Sequence, residues 1–186
     1  MELPLAITSR TSSVGPIEQV ILLALLSSLI ALSIDSMLPA LAHIEKDLGV
    51  FHPNGRQYIV GATFVGMAVG MLLYGPISDS LGRRGPIFLG ISIFLIGCLM
   101  SVFADSFEIM LLGRFLQGLG AAGPRVVSIA LIRDQYSGRE MARFTSLVMT
   151  VFILVPVLAP ALGQGILLIA TWRSIFGVMF SLGLIA

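Results

Sequence analysis

The chain has 186 residues, of which 56% are hydrophobic and 11% are charged, and its mean hydropathy is +1.00. Soluble domains average about 45–50% apolar and about 25% charged residues, so this composition indicates a membrane protein. The formal net charge is +1 and no basic stripe is present, which argues against nucleic-acid binding. The single cysteine, Cys98, lies in an apolar run, so neither a disulfide framework nor a metal cluster is predicted. We also find no nucleophile–base pair that would indicate an enzyme, and we expect no cofactor.

Six apolar segments, separated by short polar connections, predict six membrane helices. About 20 apolar residues cover the ~30 Å hydrocarbon core of a bilayer, and no β pattern competes with the helical one. The predicted helices are 17–39, 57–78, 86–104, 107–131, 144–168 and 174–186, after a polar, mobile lead at 1–16. The last segment is too short to span a membrane, so we expect the chain to stop inside its sixth span.

Lysine and arginine are distributed unevenly between the two predicted sides. The side of the N-terminus holds Arg10, Arg83, Arg84, Arg133, Arg139 and Arg143, and the other side holds Lys46, Arg56 and Arg173. Cytoplasmic loops carry the excess of these residues. The pattern therefore predicts a cytoplasmic N-terminus, with the connection after helix two on the same side.

That connection is a short charged hairpin with a recognisable spacing. Its sequence is Gly75-Pro-Ile-Ser-Asp79-Ser-Leu-Gly82-Arg83-Arg84. The spacing resembles the signature of the major facilitator superfamily, G-x-x-x-D-R-x-G-R-R/K, at five positions, while Ser80 replaces the usual arginine. In that family the aspartate holds the cytoplasmic side closed, so the resemblance implies a gating hairpin of Gly75, Asp79, Gly82, Arg83 and Arg84. The charges between Arg133 and Arg143 either form a solvated segment or pair with this hairpin.

The resemblance extends over about residues 17–186 and implies a specific architecture. The expected fold is an all-α, six-helix bundle of 3+3 inverted repeats, the N-terminal half of a twelve-helix transporter. A second six-helix half is the implied partner, because the substrate cavity lies between the halves. Membrane lipid, protons and a small-molecule drug or metabolite are the other implied partners.

Helix four contains a charged residue within an apolar span. A charge there costs about 2.5–3.5 kcal/mol on insertion scales and by default marks a functional site. The segment Arg114-Phe-Leu-Gln117-Gly118 resembles the helix-four motif of the family, in which the arginine is associated with proton coupling and faces the central cavity. Arg125 is eleven residues further on, close to three full turns, so it lies on the same face of the helix as Arg114. Two cations on one face indicate a water-filled path, and Gln117 and Arg125 are predicted to line the substrate cavity. Both arginines could instead snorkel to the membrane surfaces.

Helix one contains a carboxylate near its far end. Asp35 precedes Leu38-Pro39, and this segment resembles the first helix of drug–proton antiporters of the Bcr/CflA type. A carboxylate in a span is suited to proton uptake and release. Asp35 and Arg114 are at similar predicted depths, so we expect them to pair and to form the proton-coupling site. An aspartate that reaches interfacial water is the alternative.

Small residues are placed regularly in helices two and four. Helix two has Ala62, Gly66 and Gly70, a spacing that allows close helix contact. The run Gly118-Leu-Gly120-Ala-Ala-Gly123 has the form of a dinucleotide fingerprint, but inside a membrane span it predicts helix packing instead.

In helix five, Pro156, Pro160 and Gly163 predict a bend. They resemble the glycine- and proline-rich motif of family antiporters, although Ala159 and Gln164 depart from it. A bend needed only for packing is the alternative.

Together these features predict a secondary transporter of the inner membrane that exports drugs by proton antiport with alternating access. A proton-coupled metabolite symporter, or a truncated membrane interaction protein without transport, are the alternatives.

Overall fold

The computed structural model describes residues 16–50 and 54–185, and within them the regular secondary structure is helical throughout. The elements are α1 Pro16–Asp35, a 3-10 turn Leu38–Ala40, α2 Leu41–Asp47, α3 Gly55–Leu81, α4 Arg84–Val102, α5 Phe107–Gln135, α6 Gly138–Ile169 and α7 Trp172–Ile185. Five segments are long and apolar enough to cross a membrane, and α7 is a shorter apolar helix. The predicted all-α bundle of a multi-pass membrane protein is confirmed. The polar lead at 1–15 lies outside the described residues.

Helix one differs from its predicted form, because it is interrupted rather than ended near Pro39. α1 ends at Asp35, the 3-10 turn contains Pro39, and the chain continues as α2 through the segment predicted to be a polar connection. Proline fits the first turn of a helix, where its missing N–H leaves no hydrogen bond unmade. The interruption therefore follows Asp35 directly, and α2 extends helix one beyond it.

The helices around the predicted connection Arg133–Arg143 are longer than expected. α5 continues to Gln135 and α6 begins at Gly138, so most of this charged segment is helical. Charged side chains in the last turn of a membrane helix reach water by extending along it, so their presence does not end the helix. The other helix ends lie within three residues of the predicted positions.

α5 is the central helix of the bundle and packs against α3, α4 and α1. α1 also packs against α6, and α4 packs against α7. In two repeats of three helices, α1 corresponds to α5, α3 to α6, and α4 to α7. The contact between α1 and α6 in one repeat order is then equivalent to the contact between α5 and α3 in the other. This correspondence is what inverted repeats of three helices produce.

Glycines allow the backbones of α3 and α5 to touch. An added Cβ at Gly66 would overlap the Phe115 carbonyl, and one at Gly118 would overlap the Thr63 carbonyl. On another side of α5, an added Cβ at Gly120 would overlap the backbone of Phe94 in α4. The glycine-rich run in α5 is thus a two-sided packing surface.

The small-residue stripe in α3 agrees with the prediction at Gly66 and Gly70 and differs at its first position. Thr63, Gly66 and Gly70 are buried in it, whereas Ala62 is half-buried. The spacing of three then four residues keeps this stripe facing α5.

Candidate functional site

The hairpin between α3 and α4 is held by one arginine. Arg83 donates to Asp79 in α3 at 2.8 Å, to the Ser78 hydroxyl at 2.7 Å, and to Asp134 in α5 at 2.8 Å. We call these four residues the hairpin clasp, and their side of the bundle the hairpin end. Gly82 has φ = 82°, in the left-handed region that glycine adopts without strain, and this turn brings Arg83 back toward α3.

The hairpin clasp joins the α3–α4 connection to the last turn of α5. Hydrogen bonds to Asp134 and Asp79 raise the pKa of Arg83 above its ordinary value, so the guanidinium stays charged at any pH compatible with a membrane. A cavity of about 380 Å³ opens beside the clasp and is lined in part by Gly75 and Arg133. Arg84 points into solvent and makes no ion pair among the described residues. The ion pair between Arg83 and Asp134 corresponds to one of the two alternatives given for the charges between Arg133 and Arg143, namely that they pair with the hairpin.

Arg114 lies in a fully buried polar network. Its Nη1 donates to the Ser33 hydroxyl at 3.1 Å and to Gln117 Oε1, and its Nη2 donates to the Ser33 carbonyl at 3.0 Å. Gln117 Nε2 in turn donates to the Ser101 hydroxyl at 3.4 Å. The Arg114 guanidinium carbon is 5.7 Å from the centre of the Phe176 ring. This network, which we call the arginine network, connects α1, α4, α5 and α7.

The hydrogen bonds of Arg114 explain how a charge is tolerated there. A charge within a span costs about 2.5–3.5 kcal/mol on insertion scales. A hydrogen bond to a charged group contributes about 1.5–3 kcal/mol, and Arg114 makes three, although its Nε has no partner. The three bonds together offset the cost of insertion, so Arg114 is accommodated in the span without a carboxylate partner.

The predicted pair of Asp35 and Arg114 is wrong. Asp35 is half-buried and forms no ion pair with any described residue. Ser33, two residues earlier, takes the position opposite Arg114. Residues two apart on a helix are about 200° apart around its axis, so Ser33 and Asp35 cannot both face α5.

Gln117 and Arg114 also do not line an open cavity. Both are fully buried between helices of this bundle. Arg125 is the exception among the predicted polar residues of α5, because it is half-buried and its guanidinium carbon is 4.3 Å above the Phe152 ring of α6. Arg114 and Arg125 face similar directions but lie at different levels of the bundle, where different helices are their neighbours.

α6 contacts helix one beside Asp35. An added Cβ at Gly163 would overlap the Ser36 carbonyl, so the two backbones touch at this point. α6 is continuous through Pro156 and Pro160. Each proline lacks an N–H, which leaves the carbonyl four residues earlier without its helical hydrogen bond. The proline-rich segment thus ends in a glycine that touches the interruption of helix one.

The opposite end of the bundle has a second cluster, which the sequence analysis did not anticipate. Trp172 Nε1 donates to Asp47 at 2.8 Å, and Arg173 donates to Asp47 at 3.3 Å and to the Ala104 carbonyl at 3.1 Å. Arg173 also lies over the Trp172 ring at 4.2 Å. The signal for this cluster in the sequence was the Trp-Arg pair at the start of a helix. We call Asp47, Ala104, Trp172 and Arg173 the opposite clasp.

Ser33 and Ser101 are the other residues that sequence reasoning missed. Serine occurs often in apolar helices, so neither stood out from its neighbours. A buried arginine in a span requires several hydrogen-bond acceptors, and that requirement was the only indication that such residues exist.

Comparison with known proteins agrees with this architecture. The family model of the Major Facilitator Superfamily (MFS) matches residues 23–186. "Uncharacterized MFS-type transporter YdgK" of Bacillus subtilis is 38% identical over 164 residues, which cover 87% of this chain and 40% of that protein. "Bicyclomycin resistance protein homolog" of Haemophilus influenzae is 35% identical over 167 residues, covering 90% of this chain and 42% of that protein.

A third relative has a similar level of identity. "Multidrug resistance protein MdtL" of Klebsiella pneumoniae is 36% identical over 151 residues, covering 81% of this chain and 38% of that protein. The chain spans about two fifths of the length of these curated relatives. The family consists of transporters rather than enzymes, and by the extent of the family match this chain belongs to the major facilitator superfamily.

Proposed function

We propose that the chain forms the N-terminal six-helix half of a transporter that exports drugs or similar small molecules by proton antiport. The direction and the substrate class are supported by the names of two relatives, a bicyclomycin resistance protein homolog and a multidrug resistance protein. The proposed membrane is a bacterial inner membrane, with the N-terminus and the hairpin end in the cytoplasm. A second six-helix half completes the substrate cavity.

The observation that carries the proton step is the position of Asp35. It is a half-buried carboxylate in a membrane span, and no described cation pairs with it. It lies at the residue where helix one is interrupted. Carboxylates in such places are costly unless they have a function, and proton relays are a common one.

The two sides of this segment are held by different helices. Arg114 in α5 binds Ser33 just before Asp35, and Gly163 in α6 touches Ser36 just after it. A change in how α5 and α6 are placed would therefore move Asp35 relative to both. In the proposed cycle, this segment exposes Asp35 to one side of the membrane and then to the other, and a cationic drug competes with the proton for the carboxylate.

The other site residues have supporting functions in the proposal. Arg114 and Gln117 fix α1 against α5 through the arginine network. Arg125 is assigned to the substrate cavity in this proposal, because it is half-buried and has an aromatic neighbour. Asp79 and Arg83 keep the cytoplasmic side closed through the hairpin clasp.

Accumulation of ethidium, a cationic dye, tests the proposed direction of transport. Cells that lack their main efflux pumps should accumulate less ethidium when they express the complete protein that contains this chain. Asp35→Asn should raise ethidium to the level of cells without the protein, while Glu140→Gln, on an exposed side chain at the start of α6, should not. Greater accumulation with the wild-type protein would show uptake instead, and equal export by Asp35→Asn would remove Asp35 from the mechanism.

A further inference from the structure

The opposite clasp occupies the position that inverted-repeat symmetry assigns to the hairpin clasp. Arg83 lies in the connection between the second and third helices of the first repeat, and Arg173 lies just after the corresponding connection of the second repeat. Asp134 is in the last turn of α5, the first helix of its repeat. Asp47 is the last residue of α2, which ends the first helix of the other repeat.

The same arrangement of partners is found at both ends. Each arginine binds a carboxylate at the end of the first helix of the other repeat: Arg83 binds Asp134 at 2.8 Å and Arg173 binds Asp47 at 3.3 Å. Each arginine also has two further partners, which are Asp79 and the Ser78 hydroxyl in one case, and the Ala104 carbonyl and Asp105 in the other. The two sequences around the arginines do not resemble each other, so the correspondence is visible only in the fold.

The opposite clasp differs from the hairpin clasp in containing a buried aromatic ring. Trp172 is 3% exposed and its ring packs edge-on against Phe176 at 6.1 Å. The indole N–H is thereby directed at Asp47, while Arg173 covers the ring from the other side. The side chains of Arg173 and Asp47 are 34% and 54% exposed, so their ion pair alone contributes little, and the hydrogen bond from the buried indole to the Asp47 carboxylate adds to it.

We propose that Trp172 and Arg173 position the far end of helix one by holding α2 through Asp47. α2 has only seven residues and is joined to α1 by the 3-10 turn, so it is too short to keep its place alone. The clasp ties it to the end of α4 and the start of α7. The interruption after Asp35 is then fixed at both sides, by the arginine network before it and by the opposite clasp after it.

The single tryptophan of the chain makes this clasp directly observable. In the purified 186-residue chain in lipid nanodiscs, Asp47→Ala should shift the emission of Trp172 to longer wavelength and at least double its quenching by acrylamide. Arg173→Gln should give a smaller change in the same direction, and Arg173→Lys should restore most of the wild-type signal. The matched control is Glu45→Gln, which removes the Glu45–Arg56 pair of 2.6 Å from the same short helix and should leave the fluorescence unchanged.

A cysteine reporter separates loss of the clasp from general unfolding. Ala40 is fully buried in the 3-10 turn, and Ala40→Cys in a Cys98→Ala background should be protected from a maleimide. Arg173→Gln should increase its labelling rate several-fold while helical content and elution volume stay unchanged. Unchanged Trp172 fluorescence in Asp47→Ala, or equal Ala40→Cys labelling with and without Arg173, would overturn the proposal. Because neither measurement involves transport, the proposal stands or fails independently of drug export.

Discussion

Arg114 has the most demanding electrostatic position of any single residue in the bundle. The sequence predicted its importance, since a charge in an apolar span is rare, and the structure places it fully buried. The sequence did not predict its partners correctly. Depth along the helix matched Arg114 with Asp35, but rotation around the axis of α1 decides which side chain faces α5, and it selects Ser33.

The charge of Arg114 and its fork of donors have separable effects on stability. Arg114→Lys keeps the charge but cannot reach both oxygens of Ser33, so it should lower the free energy of unfolding by about 1.5–3 kcal/mol for each lost bond. Arg114→Met should also be less stable than wild type, because it loses all three bonds, about 4.5–9 kcal/mol together, and recovers only the insertion cost of about 2.5–3.5 kcal/mol.

Thermal unfolding of the purified chain in detergent measures both changes. Arg125→Lys is the control, because lysine can also place its charge over the Phe152 ring. Its free energy of unfolding should be within about 0.5–1 kcal/mol of the wild-type value. A chain with Arg114→Met that is as stable as wild type would contradict the description of the arginine network.

At the scale of helices, composition predicted the number and order of the elements, and packing decided their ends. Apolar length alone located the six helices, because the bilayer thickness is fixed. It could not predict that charged turns extend α5 and α6, or that helix one continues as α2 after Pro39. The spacing of small residues predicted close helix contact in α3, but only the partner helix shows that Thr63 rather than Ala62 lies in the buried stripe.

Two glycines of α3 test the contact between α3 and α5. Gly66→Ala should lower the free energy of unfolding by about 1–3 kcal/mol, because the new methyl group overlaps the Phe115 carbonyl and forces the helices apart. Gly61→Ala in the same helix meets no atom within 4 Å and should be neutral or stabilising by up to about 1 kcal/mol. Equal effects of the two substitutions on thermal unfolding would rule out backbone contact at Gly66.

At the scale of the whole molecule, two clusters of charge hold opposite ends of the bundle. The hairpin clasp contains a motif that the sequence showed clearly, whereas the opposite clasp depends on residues from α2, α4 and α7 that are far apart in the chain. The ends are chemically distinct as well, because arginines of the hairpin end outnumber the basic residues of the opposite end. That asymmetry predicts which end faces the cytoplasm.

Labelling in intact cells measures this orientation. In a Cys98→Ala background, Ser80→Cys at the hairpin end should resist a maleimide that cannot cross the membrane, and Asp105→Cys at the opposite end should react readily. Ser80 is exposed and the Asp105 side chain is 92% exposed, so burial does not protect either position. Rapid labelling at Ser80→Cys together with protection at Asp105→Cys would reverse the proposed orientation.

Proton movement evoked by a drug tests the central claim, that Asp35 couples export to the proton gradient. The experiment uses everted membrane vesicles that contain the complete protein and have an acidic interior. Ethidium added to the medium should enter the vesicles in exchange for protons, and a pH-sensitive dye in the medium records the protons that leave. Asp35→Asn should abolish this release and weaken ethidium binding, because the neutral amide neither exchanges a proton nor attracts a cation, while Glu140→Gln, on an exposed side chain, should behave as wild type. Proton release of wild-type size from the Asp35→Asn protein would contradict the account.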